Sequence, residues 1–507
     1  MSLWLRRTSS RGISVSFLKT IITNNKNQLT LCSYQPNAYY MSSFPSNIIK
    51  SVIIGSSGFI NTKNIIWTSR YSLFSINNPV FLGAHNYHSM EATEKILSSD
   101  DDDNNSTSNE INQGMDFPGG EITYTSKMNF LPGTSEKRVQ CYRVLDEDGH
   151  TILSNKMEHV SKEVALKMYS GMVTLSTMDK YFYEAQRQGR LSFYLTSFGE
   201  EAINLASAAA LSFDDVVLAQ YREPGVLLWR GFTLQQFADQ CFGNNVGHGK
   251  GRQMPIHYGS KDLNFMTISS PLTTQLPQAV GVAYSLKMDK KDACVVAYFG
   301  DGSASEGDFH AALNFAAVMD APVVFICRNN GWAISTPVTD QFRGDGIVVR
   351  GQGYGISSTR VDGNDALAIY NAVRSAREMA ISEQRPILIE AMTYRVSHHS
   401  TSDDSTKYRS VNEIEHWRTL HSPITRFKKW VERKGWWSDK EESELHTNVT
   451  KQVKQVIDEA EKGEKPPLRD MFTDVYKDLP SNLLEQETLL RETIQKHPQD
   501  FPKNIPL

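Results

Sequence analysis

The sequence predicts an α/β protein built on a doubly wound parallel sheet, with helical extensions on its N- and C-terminal sides. Three observations predict this class. Short, almost wholly apolar runs at 293–299 and 321–327 are typical of strands that are buried on both faces. The stretch between them, 306–319, has the apolar spacing of a helix. A helical pattern over 366–383 then precedes a third apolar run at 387–393, and such alternation of strands and helices forms parallel sheets.

Helical patterns dominate on either side of this domain. Ser161 has the residue type of a helix N-cap, and apolar residues recur at helical spacing from Val164 onward. After Tyr408 the chain reads as helical and charged. The segment 140–145, which precedes the turn 146–149, predicts an exposed strand or hairpin.

Composition and charge exclude two classes of protein. The 507 residues are 40% hydrophobic and 22% charged, which supplies a large core, and the formal net charge of -4 gives no basic footprint for nucleic acid. No apolar run reaches the ~20 residues that cross a bilayer. We therefore expect no nucleic-acid partner and no membrane insertion. The cysteines show no C-x-x-C pair and no metal-ligand spacing, so we expect reduced, buried thiols.

The start of the chain has a distinctive charge pattern. Its first acidic residue is Glu91, although several arginines and lysines precede it, and serine and asparagine are frequent. This composition is typical of a mitochondrial transit peptide, and the alternative is a merely disordered tail. The run 100–108 is too polar to be buried. We predict that residues 1–115 comprise a mitochondrial presequence and a disordered linker.

Polar residues follow two of the predicted strands at the point where each strand ends. Gly300-Asp301-Gly302 comes directly after the first strand, and Asn329-Asn330 comes directly after the second. Ligands bind at the carboxyl edge of an open α/β sheet, so Asp301 and Asn330 are expected to converge there. Carboxylate and amide oxygens suit a hard divalent cation that also takes oxygens from a diphosphate. The sequence therefore predicts a magnesium diphosphate site.

Two familiar nucleotide motifs do not match. The dinucleotide fingerprint requires a third glycine where this chain has Ser305, and a P-loop requires a lysine that 303–305 lacks. The remaining alternative is that Gly300-Asp301-Gly302 and the segment that begins at Asn329-Asn330 are simple turns.

The spacing from Gly300 to Asn330 resembles the cofactor motif of thiamine-diphosphate enzymes, and further segments resemble the alpha subunits of the two-subunit 2-oxo acid dehydrogenases. The resemblance covers about residues 116–507. The segments that carry it are 186–190, 220–223, 249–255, 269–272, 328–331 and 398–404. The paired histidines and aspartates of the last segment resemble the branched-chain enzyme more than the pyruvate enzyme. The resemblance implies the pyrophosphate-binding half of a thiamine diphosphate-binding fold.

The resemblance also implies a domain organisation. Residues 116–198 are expected to form an N-terminal extension and helices that contact a partner subunit. Residues 199–410 are expected to form the cofactor-binding domain, including a regulatory loop at 397–410. Residues 411–507 are expected to form a C-terminal helical region.

The family pattern places magnesium on Asp301, Asn330 and the backbone carbonyl of Trp332. The mammalian enzymes have glutamate and tyrosine where this chain has Asp301 and Trp332, so the shorter aspartate must reach farther. The resemblance assigns contacts with the cofactor to a larger set: Tyr221, Arg222, Ser270, Asp301, Gly302, Ser303, Arg328 and His399. Paired arginines suit a diphosphate because each guanidinium donates parallel hydrogen bonds.

Two further roles follow from the same resemblance. A potassium site is implied at Ser269, Pro271, Thr274 and Gln275. His399 is the implied catalytic residue, which donates a proton or hydrogen bond as the acyl group passes to a lipoyl group.

The implied activity is that of a 3-methyl-2-oxobutanoate dehydrogenase. This enzyme oxidatively decarboxylates the branched-chain 2-oxo acids derived from valine, leucine and isoleucine, in the mitochondrial matrix. The implied assembly is an α2β2 heterotetramer in which the beta subunit supplies an essential glutamate, with a lipoyl-bearing acyltransferase core as the acyl acceptor. The resemblance further implies phosphorylation at Ser400 and Ser410 by a kinase, reversed by a phosphatase.

Overall fold

The computed structural model describes residues 137–152, 160–501 and 505–506, single residues at 128, 130 and 133, and the backbone of short strands nearer the N-terminus. The chain divides into two compact units, Met1–Ile111 and Asn112–Leu507. The N-terminal strands form antiparallel pairs: β1 (Ser2–Trp4) with β2 (Lys19–Ile21), β3 (Gln28–Gln35) with β4 (Ala38–Pro45), and, in the second unit, β5 (Gly114–Phe117) with β6 (Gly120–Thr123). The side chains of the predicted presequence lie outside the described residues.

The second unit is built on a six-stranded sheet in which every described pairing is parallel. Its strands are β7 (Cys141–Tyr142), β8 (Val216–Leu218), β9 (Val295–Gly300), β10 (Val323–Asn329), β13 (Ser357–Asp362) and β14 (Ile387–Met392), in the order β7-β13-β14-β10-β9-β8. A small antiparallel pair, β11 (Trp332–Ala333) and β12 (Thr336–Pro337), follows β10.

Helices connect these strands and extend the domain on both sides. Those that precede β10 are α1 (Lys162–Arg187), α2 (Glu201–Ala209), α3 (Pro224–Trp229), α4 (Leu234–Phe242), α5 (Gln275–Met288) and α6 (Gly307–Val318). Those that follow it are α7 (Val338–Gln341), α8 (Val348–Gly353), α9 (Ala366–Ser382), α10 (Val411–Leu420), α11 (Pro423–Arg433), α12 (Asp439–Glu461), α13 (Asp470–Thr473) and α14 (Ser481–Lys496).

The sheet is covered on both faces because the side chains of its central strands alternate between two apolar clusters. Val296 and Tyr298 of β9 lie in the cluster that contains α1, α2 and α9, whereas Ala297 and Phe299 lie in the cluster that contains α5 and α6. All four side chains are fully buried. The predicted doubly wound α/β fold is therefore confirmed.

Local signals also hold in the flanking elements. Helix α1 begins where predicted, since the Val164 N–H donates to the Ser161 hydroxyl oxygen over 3.2 Å. The predicted exposed strand near 140–145 is β7, which joins the edge of the sheet beside β13.

Within the described part of the chain, no helix combines the length and apolar character that a membrane span needs. The described cysteines are reduced; Cys241, Cys294 and Cys327 are buried as expected, but Cys141 is exposed because it lies on the edge strand.

Candidate active site

The two polar segments singled out in the sequence meet at one edge of the sheet. β9 and β10 are adjacent and parallel, with Phe299 opposite Cys327, so Asp301 and Asn330 both follow the carboxyl ends of neighbouring strands. Glycine is required at 302, because a Cβ there would lie 2.6 Å from the Cβ of Ala333. The sequence thus brings the two groups to a common edge, as predicted.

A cavity of about 490 Å³ opens at this edge. Its wall contains the predicted cofactor and magnesium residues: Tyr221, Arg222, Ser270, Asp301, Gly302, Ser303, Arg328, Asn330, Trp332 and His399. These residues come from segments separated by up to about 180 positions. The structure therefore gathers all of them around one cavity.

Asp301 presents its two carboxylate oxygens to different surroundings. The side chain is 2% exposed, and Gln341 on α7 donates from Nε2 to Oδ2 over 2.7 Å. Burial raises the pKa of this carboxyl above its ordinary value, and the Gln341 hydrogen bond opposes that rise. A cation bound at Asp301 would favour the ionised form.

Asn330 is oriented by a neighbouring carboxylate. Its Nδ2 donates to Glu200 Oε1 over 2.8 Å, so its oxygen is the atom left to accept, and the Trp332 N–H donates to that oxygen over 3.3 Å. Glu200 also accepts from Nη1 of Arg328 over 2.7 Å, and Arg328 is paired a second time with Glu223. The Asn330 amide nitrogen and the Arg328 guanidinium thus both donate to carboxylates of the protein. Arg328 nevertheless also lines the cavity.

Arg222 and Arg395 place buried positive charge beside the cavity. They are 2% and 1% exposed, and neither forms an ion pair with a carboxylate among the described residues. Arg222 donates to the backbone oxygens of Thr196 and His399, and Arg395 donates to the carbonyl of Trp332 over 2.9 Å. Burial, reinforced by the nearby charge of Arg222, lowers the pKa of Arg395 to about 10. The cavity wall therefore favours an anion.

His399 lies at the same edge as a neutral imidazole. Its Nε2 is 3.4 Å from the Tyr221 hydroxyl. Burial, reinforced by the charges of Arg222 and Arg395, lowers the pKa of His399 to about 3. The ring is thus a hydrogen-bonding group at neutral pH in this state of the protein, and it would accept a proton more readily once an anion offset the two arginines.

A hydrogen-bonded chain fixes the segment that carries His399. The His399 N–H and the Tyr408 hydroxyl both donate to Asp403 Oδ2, over 2.7 and 2.6 Å, and Arg395 donates to the Tyr408 oxygen over 2.9 Å. The segment 397–410 therefore has a defined irregular conformation.

The two predicted phosphorylation positions lie in different surroundings within this segment. Ser400 is 8% exposed and accepts from the Ser402 N–H over 3.2 Å, whereas Ser410 is exposed at the N-cap of α10. Modification of Ser400 would require the segment to open.

The predicted potassium residues do not line the cavity. Ser269, Pro271, Thr274 and Gln275 lie on the loop around Ser270 and at the start of α5; Thr274 donates to the Pro271 carbonyl over 3.1 Å. Ser270 itself lies 2.5 Å, Oγ to Nε2, from His257. The potassium site stays a prediction.

Sequence reasoning missed several residues of the wall and its supports. Gln220 accepts from the Gly300 N–H over 2.6 Å and from the Ser303 hydroxyl over 3.0 Å, which fixes the turn after β9. Gln220 belongs to the segment 220–223, which resembles the family, and this resemblance was the signal that could have identified it. Glu200, Gln341 and Arg395 carried no motif of their own, because only the folded chain brings them to the site.

The residues present fit a magnesium diphosphate group. A carboxylate, an amide oxygen and a backbone carbonyl are the donors that a hard cation takes. Arg222 and Arg395 supply buried positive charge, and neither forms a direct ion pair with a carboxylate among the described residues, although Asp403 acts on Arg395 from nearby. No cluster of three or more histidine, cysteine, aspartate or glutamate side chains suited to a metal occurs among the residues the structure describes.

Comparison with known proteins identifies the family. Residues 169–469 match the model of the dehydrogenase E1 component. The chain is similar to the 2-oxoisovalerate dehydrogenase subunit alpha 1, mitochondrial, of Arabidopsis thaliana, with 67% identity over 77% of this chain and 83% of the relative. It is 52% identical to the mitochondrial alpha subunit of Dictyostelium discoideum over 72% of this chain and 83% of the relative. The human mitochondrial alpha subunit is 48% identical over 77% of this chain and 87% of the relative. The chain therefore belongs to the dehydrogenase E1 component family.

Proposed function

We propose that this chain is the alpha subunit of a mitochondrial enzyme that oxidatively decarboxylates branched-chain 2-oxo acids and transfers the acyl group to a lipoyl group. Enzymes of the dehydrogenase E1 component family depend on thiamine diphosphate. The observation that carries the proposal is the single cavity that unites Asp301, Asn330, Arg222 and His399. The names of the relatives cited above support the choice of substrate.

The chain's own residues divide the task of binding the cofactor. Asp301, Asn330 and the Trp332 carbonyl would hold Mg²⁺, and Arg222 would neutralise the diphosphate. Arg328, paired with two carboxylates, would contribute less charge than Arg222. Tyr221, Ser270, Gly302 and Ser303 would complete the wall around the diphosphate. When bound, thiamine diphosphate takes up the electron pair released with carbon dioxide.

His399 would act at the reacting end of the cavity. Its Nε2 lies beside the Tyr221 hydroxyl, and its backbone is fixed by Asp403 and Arg222. A neutral imidazole donates a hydrogen bond to developing negative charge without altering the net charge of the site. This suits a role in passing the acyl group to the lipoyl acceptor.

The proposal includes partners and a location. A beta subunit would complete an α2β2 heterotetramer, contacted by 116–198, and a lipoyl-bearing acyltransferase core would accept the acyl group. The absence of acidic residues from positions 1–90 and the mitochondrial names of the relatives support the matrix as the location. Potassium at the Ser269–Gln275 loop, a helical region at 411–507 and regulation by kinase and phosphatase at 397–410 are further parts of the proposal.

Co-expression with beta subunits tests the function. The assembled enzyme should release carbon dioxide from 3-methyl-2-oxobutanoate much faster than from pyruvate, and the chain alone should release none. The variant Asp301→Ala should lose cofactor binding in calorimetry, whereas Asp308→Ala, an exposed aspartate on α6, should bind as the unaltered chain does. A preference for pyruvate would mean that the proposed substrate is wrong. Absence of cofactor binding in the assembled enzyme would favour a non-catalytic scaffold.

A further inference from the structure

Gln341 is the described side chain that contacts the Asp301 carboxylate most directly. It ends the short helix α7, 40 positions along the chain from Asp301, and its Nε2 lies 2.7 Å from Oδ2. Its own Oε1 is buried and has no hydrogen-bond partner in the described structure. An amide held in a buried position with its acceptor unsatisfied costs free energy. The amide is held by its nitrogen, which donates to Asp301 and, over a longer 3.4 Å, to the Thr336 carbonyl.

The contact makes the two oxygens of Asp301 unequal. Oδ2 already accepts the Gln341 N–H, so Oδ1 is the oxygen of this carboxylate better placed to bind a metal. Mg²⁺ demands a small octahedral shell with one oxygen from each ligand, whereas Ca²⁺ readily takes both oxygens of one carboxylate. A donor placed on one oxygen therefore favours the smaller ion.

We propose that Gln341 is a positioning residue that makes Asp301 a one-oxygen ligand and so sets the preference of this site for Mg²⁺ over Ca²⁺. The inference rests on the proposed function, because it concerns the cation that accompanies thiamine diphosphate. Asn330 is also oriented by a neighbour, since Glu200 accepts from its nitrogen, and its oxygen, which accepts the Trp332 N–H, keeps a second lone pair for a ligand. Each metal-facing side chain is thus held by a polar neighbour on its other atom.

Gln341→Met tests the proposal, because methionine keeps the length of the side chain and removes the amide. Affinity for thiamine diphosphate is measured by calorimetry in the assembled α2β2 enzyme, once with Mg²⁺ and once with Ca²⁺. A hydrogen bond to a charged group contributes on the order of tenfold in binding, so we expect Mg²⁺-supported affinity to fall by about tenfold. Ca²⁺-supported affinity should fall much less.

Two further variants sharpen the test. Gln341→Glu keeps the shape but replaces the donor with an acceptor, and it should shift the preference toward Ca²⁺ further than Gln341→Met. Gln352→Met, at an exposed position on α8, should leave both affinities unchanged. An unaltered ratio of Mg²⁺- to Ca²⁺-supported affinity in both Gln341 variants overturns the inference while the proposed function stands. Failure of the unaltered enzyme to bind the cofactor with either ion overturns both.

Discussion

Arg328 carries its positive charge in the interior of the protein, and two carboxylates compensate it there. Glu200 and Glu223 are as buried as Arg328 itself, with side-chain exposures of 1%, 0% and 2%. Glu200 also holds the amide of Asn330, so this ion triad orients one of the residues proposed to bind magnesium. A buried triad of this kind is held together by mutual compensation, and loss of one member leaves the others unpaired.

Replacing Arg328 with methionine should therefore destabilise the protein strongly. Two buried carboxylates would lose their partner, at a cost of about 3–5 kcal/mol in the free energy of unfolding. Arg190→Met is the matched control, because Arg190 pairs with Asp458 and Glu461 at the surface and should contribute about 0–1 kcal/mol. Thermal unfolding of the assembled enzyme measures both. Equal effects of the two substitutions would contradict this reading of the triad.

At the scale of single residues, the sequence pointed to the residues proposed to bind magnesium but not to the residues that support them. Asp301 and Asn330 were predictable because each follows an apolar run, and parallel strands end at one edge. Glu200, Gln341 and Arg395 reach the site through the path of the whole chain, which no local pattern encodes. The departure from glutamate to Asp301 was visible in the sequence, but the partner that orients the shorter side chain was not.

Two adjacent acidic residues at the start of α2, the N-cap Glu200 and the first helical residue Glu201, have opposite electrostatic surroundings. Glu200 is paired with Arg328, whereas Glu201 forms no ion pair among the described residues and accepts from the Gly199 N–H over 2.9 Å. Burial raises the pKa of Glu201 from its ordinary 4.5 to about 8. Below pH 4.5 the carboxyl is protonated in both folded and unfolded chains. As the pH rises from 4.5 to about 8, the unfolded chain ionises while the folded chain keeps its proton, so stability is lost across this range and the loss is complete above it.

The variant Glu201→Gln should remove this dependence on pH. Near pH 5 the unfolding temperature of the variant should be close to that of the unaltered protein. Near pH 9 it should be higher, which corresponds to a gain on the order of a few kcal/mol in the free energy of unfolding. Thermal unfolding across this pH range makes the measurement. Glu485→Gln, at an exposed position on α14, should shift no unfolding temperature at either pH. A parallel shift for Glu201→Gln at both pH values would show that the carboxyl is ionised throughout.

At the scale of elements, apolar runs decided what could be predicted. β9, β10 and β14 are central strands, buried on both faces, and their sequences are nearly continuous apolar runs. β13 carries the charged residues Arg360 and Asp362, and β8, an edge strand, is only three residues long. Neither strand therefore shows a continuous apolar run. Tertiary pairing with β14 and β9 determines them instead.

At the scale of the whole molecule, segment 397–410 connects the cavity to distant parts of the chain. Thr401 donates from its N–H to the carbonyl of Tyr194, which lies between α1 and α2, and Arg409 donates to the Ser397 carbonyl over 2.7 Å. Arg222 donates to the His399 carbonyl over 2.6 Å. The conformation of this segment therefore positions both His399 and one of the arginines proposed to bind diphosphate.

Charge introduced at Ser400 should disrupt this arrangement. A phosphate adds about -1.5 to -2 charges, and at a side chain that is 8% exposed and close to Asp403 it cannot be accommodated without opening the segment. We expect Ser400→Glu to lower acyl transfer to the lipoyl-bearing partner by more than about tenfold. A tenfold loss corresponds to a cost of only about 1.4 kcal/mol in the activation free energy. Faster proteolytic cleavage within 397–410 should accompany the loss.

Ser410→Glu is the matched control, because it adds the same charge to an exposed N-cap. Negative charge at the start of α10 is favoured by the helix dipole, and the side chain has room in solvent. This variant should keep near-full activity and the cleavage pattern of the unaltered enzyme. If Ser400→Glu retained full acyl transfer, or if both variants lost it equally, burial of Ser400 would not be the feature that couples this segment to the active site.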